Sequence, residues 1–181
     1  MTEEAIARRI QILQLELGAS GPSFPPIVAF GENSAVPHHS PADRVLHDGD
    51  VVLVDMGLIY DGYCSDLTRM LVVQNTKDKG QNERKDEFKN IYSLLQKVTQ
   101  EIVSWAKPGM KVAELDQRAR EMLGEYEPYF THSLGHGVGI DIHEAPWISV
   151  RSDEVLQSGM IITIEPGVYF PQGFLQMNNE E

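Results

Sequence analysis

Cysteine is nearly absent from this chain. Cys64 is the single one among 181 residues, which rules out an internal disulfide and fits a reducing compartment, the cytoplasm. No run of eighteen apolar residues occurs, so no membrane partner is expected. The opening residues, Thr2 to Arg9, alternate charged with apolar side chains, unlike a secretory leader. Positive charge is scarce as well: 15 Lys and Arg stand against 27 Asp and Glu, a formal net of −12. A nucleic-acid binder needs a basic footprint. The densest basic stretch, Lys77, Lys79, Arg84 and Lys85, is interleaved with Asp78, Glu83, Asp86 and Glu87 and reads as a solvated connection leading into a helix. These shortages leave a cytoplasmic protein acting on small molecules or peptides, with no nucleic-acid partner.

What is present is an ordered α+β pattern. With 41% hydrophobic residues the chain can bury one substantial core. Residues 3–17 read as a helix capped by Thr2, ended by Gly18, and striped by Ile6, Ile10, Leu13 and Leu17. A Gly/Pro-containing loop leads to a short strand, Ile27 to Phe30. Residues 51–59 predict a buried strand, Asp61-Gly62 a type I′ hairpin turn, and Cys64 to about Val73 the return strand. Helices are expected over about 84–106, with Phe88, Ile91, Leu95, Val98, Ile102 and Trp105 inward, and over about 112–124. A Gly/His-rich segment at 131–144 precedes a final apolar strand, Met160 to Ile164.

The order contains a repeat. Leu46, Gly49, an apolar run at 51–54 and Asp55-x-Gly57 recur as Leu156, Gly159, residues 161–164 and Glu165-x-Gly167, all offset by 110, and Glu4 falls opposite Glu114 at the same offset. Two copies at such a period suggest a pseudo-symmetric fold of duplicated α+β units rather than a solenoid. Nothing before Met1 matches the long helix that precedes the second copy, and no return strand follows Glu165, so both ends are expected to be cut. The chain then reads as one partial domain, 1–181, with halves at about 1–80 and 81–181.

The hairpin register pairs Tyr60 with Tyr63, Gly57 with Asp66 and Asp55 with Thr68. Asp55 and Asp66 thus become diagonal neighbours on one face, roughly 7–8 Å apart. Carboxylates converging on an apolar sheet repel unless neutralised, and a divalent cation does that. Glu165, the repeat counterpart of Asp55, makes a third. The segment His132 to Glu144 adds His132, His136 and His143 among three glycines. Imidazole serves there as a metal ligand, hydrogen-bond donor or base. His38 and His39 follow Asn33-Ser34-Ala35-Val36-Pro37 on a loop and are open to either a cleft or a surface role.

At these residues the sequence resembles the pita-bread metallopeptidases, of Xaa-Pro aminopeptidase (aminopeptidase P) and prolidase type. The segment His132–Glu144 carries the proline-peptidase signature, and Val54-Asp55-Met56-Gly57, Ser65-Asp66-Leu67-Thr68-Arg69 and Thr163-Ile164-Glu165-Pro166-Gly167 match the other blocks. The resemblance implies a pita-bread α+β fold, two pseudo-symmetric halves with a curved antiparallel sheet and outer helices, here incomplete. It implies two divalent ions, manganese first with cobalt or zinc as alternatives, held by Asp55, Asp66, His136 and Glu165. A hydroxide bridging the ions would attack the bond before proline, Glu165 would move the proton, and His143, His132 and His38 would face the substrate. The substrate implied is a peptide with proline second, and a homodimer is an open expectation. The family's Arg-x-Glu strand, which supplies a further bridging carboxylate, is not found before Glu181, so weak turnover is expected of these residues alone. Methionyl aminopeptidase-like, creatinase-like and non-catalytic binding readings of the same fold stay open.

Overall fold

A computed structural model describes residues 1–73 and 83–170, side chains excepted at 83–85. The chain divides into two compact units, whose described parts are residues 1–73 with Tyr169 and Phe170, and Arg84–Val168.

In the first unit, α1 (Glu3–Glu16) begins at Thr2, whose hydroxyl accepts the Ala5 N–H at 3.2 Å, and gives way at Gly18, φ +98°. Ile6, Ala7 and Ile10 pack on Val28, Phe30 and Val52. The lower half of the expected stripe turns outward instead: Leu13 and Leu17 are exposed, Leu17 at 80%. Gln14 is the residue buried there, donating from Nε2 to the Gly57 carbonyl at 3.1 Å. One turn of this helix therefore faces backbone amides, not an apolar core.

Two antiparallel three-stranded sheets follow. Strands β1 (Gly21–Pro22), β4 (Leu58–Tyr60) and β5 (Tyr63–Cys64) are ordered β1-β4-β5. Strands β2 (Ile27–Phe30), β3 (Val51–Met56) and β6 (Leu67–Val72) are ordered β2-β3-β6. The hairpin register is the expected one: Tyr60 pairs with Tyr63 and Asp55 with Thr68, around a turn with positive φ at Asp61 and Gly62. The two long strands expected there are each broken, at Gly57 and at Ser65-Asp66. The cause is a third chain segment. Ser23 donates its N–H to the Gly57 carbonyl and its hydroxyl to the Ser65 carbonyl. A Cβ at Gly57 would collide with the Ser65 carbonyl oxygen and Ser23 Oγ.

In the second unit, α2 (Glu83–Trp105) buries Ile91, Val98 and Ile102, and α3 (Val112–Leu123) buries Val112, Leu115, Ala119 and Leu123. All of these except Ile91 join Phe130, Leu134, Ile148 and Leu156 in one continuous core. A fully buried Leu or Ile contributes about 1.5–3 kcal/mol by leaving water. Trp105, expected inward, is 38% exposed, and Ala106 packs on the core in its place. The helix ends at Trp105, and Ala106, the first residue past it, takes the place on the core. Strands β7 (Gly135–Gly137) and β8 (Glu144–Ile148) pair antiparallel with an irregularity after His136. The strand expected at Met160 to Ile164 is an extended segment rather than a regular strand. It bonds to one neighbour, through Val138 N–H to the Ile161 carbonyl, Thr163 N–H to that of His136 and Glu165 N–H to that of Leu134.

The repeat is visible as shared local geometry. Thr2 bridges Val45 in the first unit and Lys111 bridges Val155 in the second. The turn N–H of Asp50 bonds the His47 carbonyl, and that of Met160 bonds the Gln157 carbonyl. Gly49 and Gly159 hold φ of +89° and +92°. The offset is 110 in the turns but 109 in the helices, because Thr2 corresponds to Lys111. The pairing of Glu4 with Glu114 is therefore one residue out, and Glu4 corresponds to Ala113.

Candidate metal centre

Asp55, half-buried, is the last residue but one of strand β3, and the Thr68 hydroxyl directly across the ladder donates to its Oδ1 at 2.8 Å. Burial pushes the Asp55 carboxyl up, the neighbouring Asp66 charge adds to this, and Thr68, the Met56 backbone and His38 pull the other way. Asp66 and His38 thus both act on Asp55. The interrupted ladder explains the placement: Gly57 and Asp66 occupy the break, where regular pairing stops. His39, the neighbour of His38, has a different task. Its Nε2 lies 2.8 Å from Glu3 Oε2, and Glu3 is fully buried.

That glutamate, in the first turn of α1, is the centre of a network. Its Oε1 accepts the Phe30 N–H and the Asn33 amide, and its Oε2 accepts the Ala42 N–H as well as the His39 ring. Burial alone would raise its pKa, yet hydrogen bonds from His39, Asn33, Phe30 and Ala42 hold it below the ordinary carboxylate value. The loop bearing His38 is thereby tied to the start of α1. No periodicity signals this, because Glu3 looks like any first-turn acid.

In the second unit His136, 5% exposed, lies on β7. Its Nδ1 faces the Gly137 carbonyl at 2.8 Å. A carbonyl only accepts, so Nδ1 carries a proton, and the neutral ring then presents a lone pair at Nε2. Nε2 lies 3.3 Å from Glu165 Oε1. With a neutral ring two acceptors face each other there, and with a second ring proton the contact is an ion pair. Thr163 organises both partners: its Oγ1 accepts the His136 N–H and donates to Glu165 Oε1, each at 3.0 Å. The His143 ring stands edge-on to that of His136 at 4.4 Å.

His132 is held further up the same segment. Its Nδ1 faces the Ser133 carbonyl at 2.8 Å and its ring meets Phe130 edge-on at 5.0 Å. Two α3 residues that the sequence did not single out fix this loop. Arg120 donates to the carbonyls of Phe130 and His132 and stacks over the Phe130 ring. Asp116, fully buried, accepts from Arg120 Nε at 2.6 Å and from the Leu134 N–H at 3.1 Å. The signal was the i, i+4 acid–base spacing of Asp116 and Arg120, which is too common to stand out.

Each unit thus carries its own set: Asp55, Asp66 and His38 in the first, His136, Glu165 and His143 in the second. Among the described residues no group of three or more His, Cys, Asp or Glu side chains is arranged to hold an ion. The donor types themselves, carboxylates with one tautomer-fixed imidazole, fit a divalent metal. The desolvated Asp55 and the facing acceptors of His136 and Glu165 are electrostatic needs that a cation meets.

A family model for metallopeptidase family M24 matches residues 1–180. The Xaa-Pro dipeptidase of Pyrococcus furiosus is 42% identical over 172 residues, which cover 94% of this chain and 47% of that protein. Among solved structures, the prolidase from Pyrococcus furiosus matches with a TM-score of 0.86 at 43% identity, covering 96% of this chain and 50% of that one. The X-Pro aminopeptidase from Thermotoga maritima MSB8 matches with 0.86 at 38% identity, covering 96% and 48%. These neighbours have the pita-bread fold. The chain spans about half the length of the curated relatives it matches.

Proposed function

The chain belongs to metallopeptidase family M24 and has its pita-bread α+β fold, and from that premise we propose that its protein hydrolyses the peptide bond preceding proline. The observation that carries the reading is the contact of His136 Nε2 with Glu165 Oε1 at 3.3 Å, with Thr163 bonded to both residues. The names of the relatives, Xaa-Pro dipeptidase and X-Pro aminopeptidase, supply the substrate class.

In this reading the two units are the halves of one domain, about 1–80 and 81–181. Asp55, Asp66, His136 and Glu165 serve as the donors for two divalent ions. An oxygen-rich set with one imidazole suits manganese, with cobalt or zinc next. Such ions supply Lewis acidity and bring the pKa of water toward neutrality, giving a hydroxide nucleophile at physiological pH. Glu165, oriented by Thr163, takes up a proton and returns it to the leaving nitrogen. His143 and His132 donate to the carbonyl oxygen as charge develops on it. His38 faces the substrate near Asp55. Among the described residues no helix is long and apolar enough to cross a membrane. The single cysteine fits a cytoplasmic enzyme.

The test is hydrolysis of Xaa-Pro peptides by the full-length protein with and without Asp66→Ala. The reading expects activity only with added divalent metal, and at least a thousandfold loss in the variant, on the order of 4 kcal/mol of barrier. Activity that survives the substitution removes Asp66 from the metal site.

A further inference from the structure

One large side chain on the face of the candidate centre has no part in the reading above. In the β7–β8 ladder Trp147 pairs directly with His136, and directly paired residues project to the same face. The next residue, Ile148, points the other way and is fully buried in the core. The alternation therefore fixes Trp147 on the His136 side. Its ring centroid lies 6.2 Å from that of His136 and 6.1 Å from that of His143, and the two imidazoles are 4.4 Å apart. The backbone is pinned too, since the Trp147 N–H donates to Glu154 Oε2 at 2.8 Å. Glu154 in turn takes the Ser152 hydroxyl at 3.2 Å.

This position is expensive for a tryptophan. An indole left 48% exposed keeps apolar area in water, where burial would be worth about 25 cal/mol per Å². At the same place the ring is within aromatic-pairing range of one proposed metal ligand and one proposed substrate-facing histidine. A surface of this kind, rigid, flat and apolar, next to polar groups that would orient a peptide bond, is the make-up of a specificity pocket wall.

We propose that Trp147 is a specificity-determining residue, whose exposed indole face receives an apolar ring or side chain of the peptide substrate, the prolyl ring foremost. The inference rests on the peptidase reading and names the chemistry that one wall of the same site recognises. The saturated pyrrolidine ring offers polarised C–H bonds to the negative face of the indole, and stacking it covers apolar area on both partners. Trp147 takes no proton and holds no ligand atom. It acts on binding and leaves the reacting groups in place.

Two measurements on the full-length protein separate this from a structural role. In the first, Trp105 and any tryptophan of the full-length protein outside these 181 residues are replaced by Phe, so that Trp147 alone emits, and its emission is followed as the metal-free protein is titrated with an Xaa-Pro dipeptide. A saturable shift is expected, and an Xaa-Gly dipeptide of the same first residue should produce less than a tenth of it at equal concentration. In the second, Trp147→Ala in the manganese-loaded enzyme raises KM for Xaa-Pro peptides about tenfold with kcat within threefold, and Trp147→Phe recovers most of the loss. Unmoved emission, or hydrolysis with unchanged KM in Trp147→Ala, overturns the proposal. A protein whose Trp147 emission responds selectively to the Xaa-Pro peptide, but which never cleaves it, refutes the hydrolysis reading and leaves this one standing.

Discussion

At the scale of single residues, the side chains that matter are those whose polar atoms have been taken from water and given fixed partners. Glu3 is the clearest. Its four hydrogen bonds join α1 to the segment from Phe30 to Ala42, so Glu3→Gln places an amide donor where only donors already point. The expected cost is about 3 kcal/mol in urea unfolding at pH 7. The pH dependence has a definite sign. A carboxyl held below its ordinary value contributes stability that is complete above that value, and this is lost as pH falls through the lowered one. The gap between wild type and Glu3→Gln should be widest at neutral pH and narrow only in acid, as pH falls below the ordinary carboxylate range. A gap that widens in acid contradicts the network. Arg120 gives the parallel case in the second unit. Arg120→Ala leaves Asp116 buried beside the Leu134 N–H alone and should cost about 3–5 kcal/mol, checked by thermal melting. Neither residue stood out in the sequence, since an acid in a first turn and an i, i+4 ion pair are ordinary surface features. Burial is what changes their meaning, and burial depends on residues 27 to 39 positions away for Glu3 and up to 18 for Asp116.

At the scale of elements, local patterns were legible where partners are close in sequence. The turn at Asp61-Gly62 fixes the register from Tyr60–Tyr63 back to Asp55–Thr68, because a two-residue loop leaves one way to pair. The break at Gly57 was not legible, because its cause, Ser23, lies in a loop 34 residues earlier. The same distance hid the fate of Leu13 and Leu17, which the helical period alone turned inward. The glycines of this hairpin therefore differ in what they need. Gly62 needs a positive φ in open space, so Gly62→Ala should cost about 1 kcal/mol and leave metal affinity untouched. Gly57 needs the absence of a side chain. Gly57→Ala should cost about 3 kcal/mol and weaken metal binding, since Asp66 lies in the break and Asp55 two residues before it. Calorimetric titration of both variants with Mn2+ reads the difference, and equal affinities would detach the carboxylates from the break.

At the scale of the whole molecule, the duplication seen in the sequence is real in local geometry, turn for turn, although its helices sit one residue off the common spacing. The sequence motifs carried the family, and the comparisons agree with them. They could not say how each proposed ligand is oriented. That came from Thr68 and Thr163, two hydroxyls that each hold one acid, and from the Gly137 carbonyl that fixes the His136 tautomer. If these groups hold a cation as proposed, metal stabilises the fold, by about 2.7 kcal/mol at a hundredfold excess over Kd. The most direct test of the account is hydrolysis of matched Xaa-Pro and Xaa-Ala peptides by the full-length protein, before chelation, after it, and after Mn2+ is returned. The account predicts cleavage of the Xaa-Pro peptide that vanishes on chelation and returns with Mn2+, with the Xaa-Ala peptide left intact. Cleavage that persists in the chelated protein, or that ignores proline, would contradict it.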